Sequence, residues 1–172
     1  MPLQPEPLYT VQAIQQRVQE LAGEITAEYF DAPPLCLITL KGAMHFGSDL
    51  LRAMDLPVEI DFIRAQSYSD TQSTGMVELL YTPTSTLQGR AVLLIEDIID
   101  TGRTALALRE WLQEQGTAEC RIVTLLDKSA RREVDIQADF IGFSIEDHFV
   151  VGFGMDYNEQ YRELPDIRIW ET

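Results

Sequence analysis

Residues 92–104 bring an apolar strand, three acids and a helix start into thirteen consecutive positions: Val92-Leu93-Leu94-Ile95-Glu96-Asp97-Ile98-Ile99-Asp100-Thr101-Gly102-Arg103-Thr104. The apolar run Ala91–Ile95 leads into the adjacent carboxylates Glu96 and Asp97, and a third acid, Asp100, follows. Thr101-Gly102-Arg103-Thr104 then opens a helix. Such a start exposes unpaired N–H groups and a partial positive charge, which together hold a phosphate. Gly102 lets a ligand approach the backbone closely, and Thr101 and Thr104 add hydroxyl donors. Carboxylates just upstream accept hydrogen bonds from sugar hydroxyls. A loop that takes phosphate at one end and a vicinal diol at the other fits a ribose 5-phosphate group. Read singly, Asp100 is a solvated loop acid; the run as a whole favours the ligand. Neither nucleotide fingerprint, GxxxxGK[ST] or GxGxxG, occurs in the chain.

The elements that must position this run alternate. Val11, Ile14, Val18, Leu21, Ile25 and Tyr29 recur at helical intervals, which predicts a helix over 10–29 with Thr10 as N-cap and Asp31-Ala32-Pro33-Pro34 as its stop. Leu35–Leu40 reads as a buried strand, and Gly42–Met54 as a helix with Leu50, Leu51 and Met54 inward. Val58, Ile60 and Phe62 alternate with Glu59 and Asp61, a half-exposed strand. Residues 66–75 (QSYSDTQSTG) are small, polar and aperiodic, a mobile loop before a strand over Met76–Tyr81. Ala105, Leu108 and Leu112 mark one face of a helix over Gly102–Gln115, closed by Gly116. Ile122–Leu126, Phe140–Phe143 and Phe149–Gly152 complete the strands. Short continuous apolar strands alternating with helices predict an α/β fold: a mainly parallel central sheet flanked by helices, with an antiparallel flap.

Composition bounds the function. At 172 residues the chain is expected to form a single domain, since domains run to about 150 residues. The net charge of −15 argues against a nucleic-acid surface. Cys36 and Cys120 sit in apolar runs and read as buried thiols of a reducing compartment. No apolar run approaches the roughly 18 residues of a membrane helix. Residues 1–7 carry no signal-peptide pattern, so a cytoplasmic location is expected. His45 and His148, far apart and without clustered acids, read as structural. Only two of the 13 basic residues are lysines, Lys41 and Lys128, and each follows an apolar run. That placement suits sites where a compact ammonium is wanted rather than a planar guanidinium.

Glu96-Asp97-Ile98-Ile99-Asp100-Thr101-Gly102-Arg103-Thr104 resembles the phosphoribosyl-pyrophosphate loop of the type I phosphoribosyltransferases, in the form used by the hypoxanthine-guanine branch. Three further stretches carry the resemblance: Leu40-Lys41-Gly42, Ser67-Tyr68 through Gln72-Ser73-Thr74-Gly75, and Phe149-Val150-Val151-Gly152 leading into Asp156-Tyr157-Asn158-Glu159. Together they span residues 38–162. The resemblance implies that Glu96 and Asp97 bind the ribose hydroxyls and help hold Mg2+, and that Asp100 is the general base near N7 of a purine. Thr101, Gly102, Arg103 and Thr104 would take the 5′-phosphate. Lys41 and Gly42 would form the pyrophosphate loop, which in the family often follows a non-proline cis bond; Ala43 stands where that loop usually has a second glycine. Lys128 matches the donor to the purine 6-oxo group. Phe149, which pattern alone would place in the core, matches the aromatic that stacks on the base. Val150 matches the residue whose carbonyl reads the base edge. Asp156 resembles a ligand of a second Mg2+, and Arg162 an arginine that clamps pyrophosphate. Ser67 and Tyr68 belong to the loop expected to close over the site, and about 128–172 to a C-terminal hood.

The activity so implied is purine salvage: Mg2+-dependent transfer of 5-phosphoribosyl from phosphoribosyl pyrophosphate to N9 of hypoxanthine or guanine, giving IMP or GMP plus pyrophosphate. Small-molecule substrates are expected as partners, with neither nucleic acid nor membrane, and a homo-oligomer, dimer or tetramer. The alternatives are transfer to another base such as xanthine, a same-fold RNA-binding regulator of pyrimidine operons, or a non-catalytic binding module. A regulator needs a basic face, which a charge of −15 disfavours, and the intact acidic triad argues against a degenerate site.

Overall fold

A computed structural model describes residues 3–67 and 77–171. Its helices and strands are α1 (Val11–Glu28), β1 (Leu35–Thr39), α2 (Met44–Ala53), β2 (Glu59–Ser67), β3 (Val77–Tyr81), β4 (Ala91–Ile99), α3 (Arg103–Glu114), β5 (Glu119–Asp127), β6 (Phe140–Ser144), β7 (Val150–Val151) and β8 (Arg168–Ile169). Six strands form one sheet in the order β3-β2-β1-β4-β5-β6. All its pairs are parallel except β2–β3. The α/β architecture read from the alternation therefore stands. β7 and β8 pair antiparallel in a separate small sheet. The chain places β2 on one side of β1 and β4 on the other, so the strand order reverses between β1 and β4. A crevice opens beyond the carboxyl ends of strands at such a point.

Helix α1 forms where the apolar stripe predicts it. Ile14, Val18, Leu21, Ala22 and Ile25 are buried, and Thr10 Oγ1 accepts the Ala13 N–H at 3.2 Å. With α2 it covers one face of the sheet, packing Phe46 and Leu50 over Cys36, Ile38, Leu93 and Ile95. Helix α3 covers the other face, where Leu108 and Leu112 meet Leu35, Leu37, Val92 and Leu94. Its first carbonyl comes from Gly102, held in the left-handed region at φ +85°. A Cβ there would lie 2.6 Å from Ile136 Cγ2 and 2.8 Å from Arg132 Cδ, so the turn requires glycine. No helix among the described residues is long and apolar enough to cross a membrane.

Three expectations need correction. Strand β4 does not stop at Ile95; it runs to Ile99, because Glu96 pairs in register with Thr124 and Ile99 with Asp127 on β5. Glu96 and Asp97 are thus strand residues, not loop residues. Helix α2 begins at Met44, leaving Gly42 and Ala43 in the turn before it. On β2 the alternation is inverted: Asp61 is buried, while Ile60 and Phe62 are exposed. The Asp61 carboxylate accepts N–H bonds from Phe62, Thr84 and Ser85 at 2.8 Å and the Ser85 hydroxyl at 2.8 Å. Those bonds replace the water that burial removes. Ser67 ends β2 by its backbone; the rest of the expected loop, from Tyr68, lies outside the described residues.

Candidate active site

The segment after β4 turns through Thr101 and Gly102 into α3, forming an open cradle. Thr101 Oγ1 accepts the Arg103 N–H at 3.4 Å, and the first N–H groups of α3 have no partner within the helix. A cavity of about 300 Å³ opens there, lined by Glu96, Asp100, Thr101, Gly102 and Thr104 among others. The turn is braced from behind: the Glu133 N–H reaches the Thr101 carbonyl at 2.9 Å, and Glu133 pairs with Arg103 at 2.7 Å. The Arg103 side chain is therefore directed to Glu133, and its backbone is the part that belongs to the cradle.

The acid pair is unusual chemically. Glu96 is buried and its Oε1 has no hydrogen-bond partner; the Thr39 Oγ1 is unpartnered too. Burial pushes the Glu96 carboxyl up to about 8, with Asp97 adding to the rise. Burial also pushes Asp97 up to about 6; the backbone N–H groups of Ile98 and Asp97 and the Arg162 guanidinium oppose this, and Asp156 reinforces it. Two desolvated carboxylates, one with a bare oxygen, suit a divalent cation. Among the described residues no group of three His, Cys, Asp or Glu side chains is gathered to enclose an ion. Mg2+ is commonly held by one or two carboxylates together with substrate oxygens, so the pair fits it. Asp156 pairs with Arg162 at 2.8 Å.

Asp100 lies at the mouth of the cradle. Its Oδ2 is 3.6 Å from Lys128 Nζ and its Oδ1 3.4 Å from Arg131 Nε, and Oδ1 has no hydrogen-bond partner. Lys128 is only 4% exposed, so it is no surface lysine. Its backbone N–H donates to the Ile99 carbonyl at 3.0 Å, fixing it beside the acids. Phe149 precedes the small β7–β8 sheet, and Val150 opens it. Phe149 is 45% exposed and meets Tyr157 edge to face at 5.9 Å. Its ring is therefore open to a ligand rather than part of the core. Val150 is buried in β7.

The turn after β1 completes the set. The Leu40–Lys41 peptide is cis. A Cβ on Gly42 would sit 1.9 Å from Asp97 Oδ2, and one on Gly154 would sit 1.9 Å from the Gly42 carbonyl oxygen. Lys41 Nζ pairs with Glu159 Oε2 at 2.7 Å. Arg162 donates to the Gly154 carbonyl at 2.7 Å and pairs with Asp156 at 2.8 Å and Glu159 at 3.4 Å. Sequence reasoning assigned no role to Arg131, Arg132, Glu133 or Glu159. Arg132 packs its stem on Gly102 and pairs with the buried Asp127. Arg131 bridges Asp100 and Asp147, which precedes Phe149 by two positions. These contacts join segments far apart in the chain, and no local spacing encodes them.

A family model for the phosphoribosyl transferase domain matches residues 6–158. The hypoxanthine-guanine phosphoribosyltransferase of Bacillus subtilis is 44% identical over 163 residues, 94% of this chain and 91% of that protein. A crystal structure of a hypoxanthine phosphoribosyltransferase from Staphylococcus aureus superposes with a TM-score of 0.93 at 42% identity, covering 99% of this chain and 92% of that one. A hypoxanthine-guanine phosphoribosyltransferase from Bacillus anthracis superposes with a TM-score of 0.91 at 38% identity over 95% of this chain and 97% of that one. With its switch-point crevice, acid pair and glycine-turned helix start, the chain belongs to the phosphoribosyltransferase family, alongside the hypoxanthine-guanine enzymes.

Proposed function

We propose that this chain transfers the 5-phosphoribosyl group of phosphoribosyl pyrophosphate to N9 of hypoxanthine or guanine, yielding IMP or GMP and pyrophosphate. One observation carries the reading. At the β1/β4 switch point a glycine-turned helix start, the acids Glu96 and Asp97 and the buried Lys128 beside Asp100 converge, which supports this reading. In this reading the N–H groups and hydroxyls of Thr101–Thr104 grip the 5′-phosphate. Glu96 and Asp97 accept the ribose hydroxyls and are the residues that would hold Mg2+, with Asp156 a ligand of a second ion. Lys41, Gly42 and Arg162 hold the pyrophosphate. Lys128 donates to the purine 6-oxo group, Phe149 stacks on the ring, and the Val150 carbonyl reads the base edge.

The C1–O bond to pyrophosphate breaks as the C1–N9 bond forms, and C1 passes through oxocarbenium-like character. Asp100 takes the proton from N7 of the purine. Its carboxyl lines the cavity at the helix start, beside the Lys128 ammonium. When bound, Mg2+ supplies a Lewis acid that neutralises charge on the leaving group. A chain of charge −15 can bind so anionic a substrate because long-range repulsion is screened beyond about 8 Å, while oriented N–H groups act within the site. The enzyme is expected to be a cytoplasmic dimer or tetramer, which light scattering on the purified chain would read directly. Turnover of hypoxanthine, guanine, xanthine and uracil with phosphoribosyl pyrophosphate and Mg2+ tests the proposal. Hypoxanthine or guanine should react and uracil should not; transfer to uracil, or to none of the four, refutes it.

A further inference from the structure

Lys41 and Arg162, the cations assigned above to pyrophosphate, are already bridged by a carboxylate. Glu159 places Oε2 2.7 Å from Lys41 Nζ and Oε1 3.4 Å from Arg162 Nη2, one oxygen on each cation. An ordinary exposed ion pair forms wherever long side chains happen to meet. This one is built into the backbone. Asn158, a residue tolerant of the left-handed region, and Glu159 and Tyr161, which rarely enter it, hold φ of +51°, +63° and +75°. The turn is locked by the Glu159 N–H to Asp156 Oδ2 at 2.9 Å and by the paired N–H···O bonds of Tyr157 and Gln160 at 3.1 Å.

We propose that Glu159 is an internal surrogate for pyrophosphate: it bridges Lys41 and Arg162 and competes with pyrophosphate for them. The inference rests on the reading that those two residues bind pyrophosphate. The carboxylate presents two anionic oxygens to the same donors on a tether that never diffuses away. An entering polyanion outcompetes it, and a departing one meets a ready replacement. The two cations thus never face each other without an anion, and affinity for the product is held down.

The test is calorimetric titration of inorganic pyrophosphate, with Mg2+ present, into the whole protein, with thermal melts to confirm folding. Removing a competitor must tighten binding, so Glu159→Gln should bind pyrophosphate about threefold to tenfold more tightly than the unaltered chain. A scaffold role predicts the opposite sign, because a loosened turn would weaken binding. Glu159→Asp keeps the charge but shortens the reach by one methylene; it should tighten binding too, and it serves if the glutamine variant does not fold. Arg162→Gln should weaken binding at least about tenfold. Unchanged or weaker binding in both Glu159 variants, with the expected loss in Arg162→Gln, overturns the surrogate while the pyrophosphate assignment stands. No effect of Arg162→Gln removes that assignment, and the surrogate with it.

Discussion

Replacing Lys128 with methionine separates base recognition from fold. The Lys128 ammonium is 4% exposed, and its acidic partner, Asp100, lies at 3.6 Å, longer than a direct hydrogen bond. A desolvated charge with so distant a partner does not stabilise the empty protein; replacing it with an apolar side chain of similar volume is commonly neutral or stabilising. Methionine fills the same space and leaves Asp100 paired with Arg131 at 3.4 Å. With the base bound, the ammonium is proposed to donate to the 6-oxo group, a charge-assisted hydrogen bond worth about 1.5–3 kcal/mol. Lys128→Met should therefore raise the dissociation constant for hypoxanthine or guanine by about 10- to 150-fold. It should leave phosphoribosyl pyrophosphate affinity within about twofold, because the groups proposed to hold the 5′-phosphate, at Thr101–Thr104, belong to a separate segment from Lys128. The melting temperature should hold or rise. Titrating each ligand separately into the variant, with a thermal melt on the same sample, reads all three quantities. Equal losses for both ligands, or a melting temperature lowered by many degrees with base affinity intact, would falsify the assignment.

Asp100→Ala should lower kcat by about 10²–10⁴ with little change in binding of either substrate, as single-turnover and titration measurements would show; near-normal turnover removes Asp100 from the proton transfer. Glu96 and Asp97 titrate above their ordinary values in the folded chain, near 8 and 6 against 4.5 and 3.8. The stability linked to them is full below about pH 4 and is lost as pH rises through those folded values. Metal-free melts should therefore fall between pH 4 and pH 8 through this pair, and Mg2+ or Glu96→Gln should flatten the slope; an unchanged slope refutes the burial argument. At Asp61 burial raises the carboxyl, but the hydrogen bonds from Ser85, Phe62 and Thr84 outweigh it and hold the group below its ordinary 3.8. Its contribution is present above that value and lost on acidification below it, so Asp61→Ala should cost about 1–3 kcal/mol at pH 7 and progressively less in acid, by denaturant melts.

What could be read ahead of the structure divides along physical lines. Local periodicity revealed α1 and α3, since each buries one stripe and is closed by a residue beside it, Thr10 or Gly116. The helix start at Thr101–Thr104 was legible for the same reason: a glycine turn and hydroxyls carry their chemistry within four residues. The extension of β4 through Glu96 and Asp97 was not, because polar residues end a hydrophobic run even where the ladder to β5 continues. Asp61 misled more thoroughly. Its inward side is dictated by Thr84 and Ser85, more than twenty residues away. The exposure of Phe149 and the brace of Arg131, Arg132 and Glu133 behind the cradle likewise arise from contacts between distant segments.

Gly154 abuts the carbonyl of Gly42, and Gly42 abuts the Asp97 carboxylate, with no side chain's thickness between them. Three stretches of chain that carry separate parts of the site are thereby stacked like sheets of card. Displacement of Gly154 passes to Gly42 as movement of main chain, and a shift of Gly42 bears directly on the Asp97 carboxylate. The turn at Gly154, the turn at Gly42 and the Asp97 carboxylate consequently share a single geometric tolerance. Anyone wishing to retune this enzyme toward another purine has latitude in the outward side chains of the hood, and almost none in the length or curvature of the three segments beneath them.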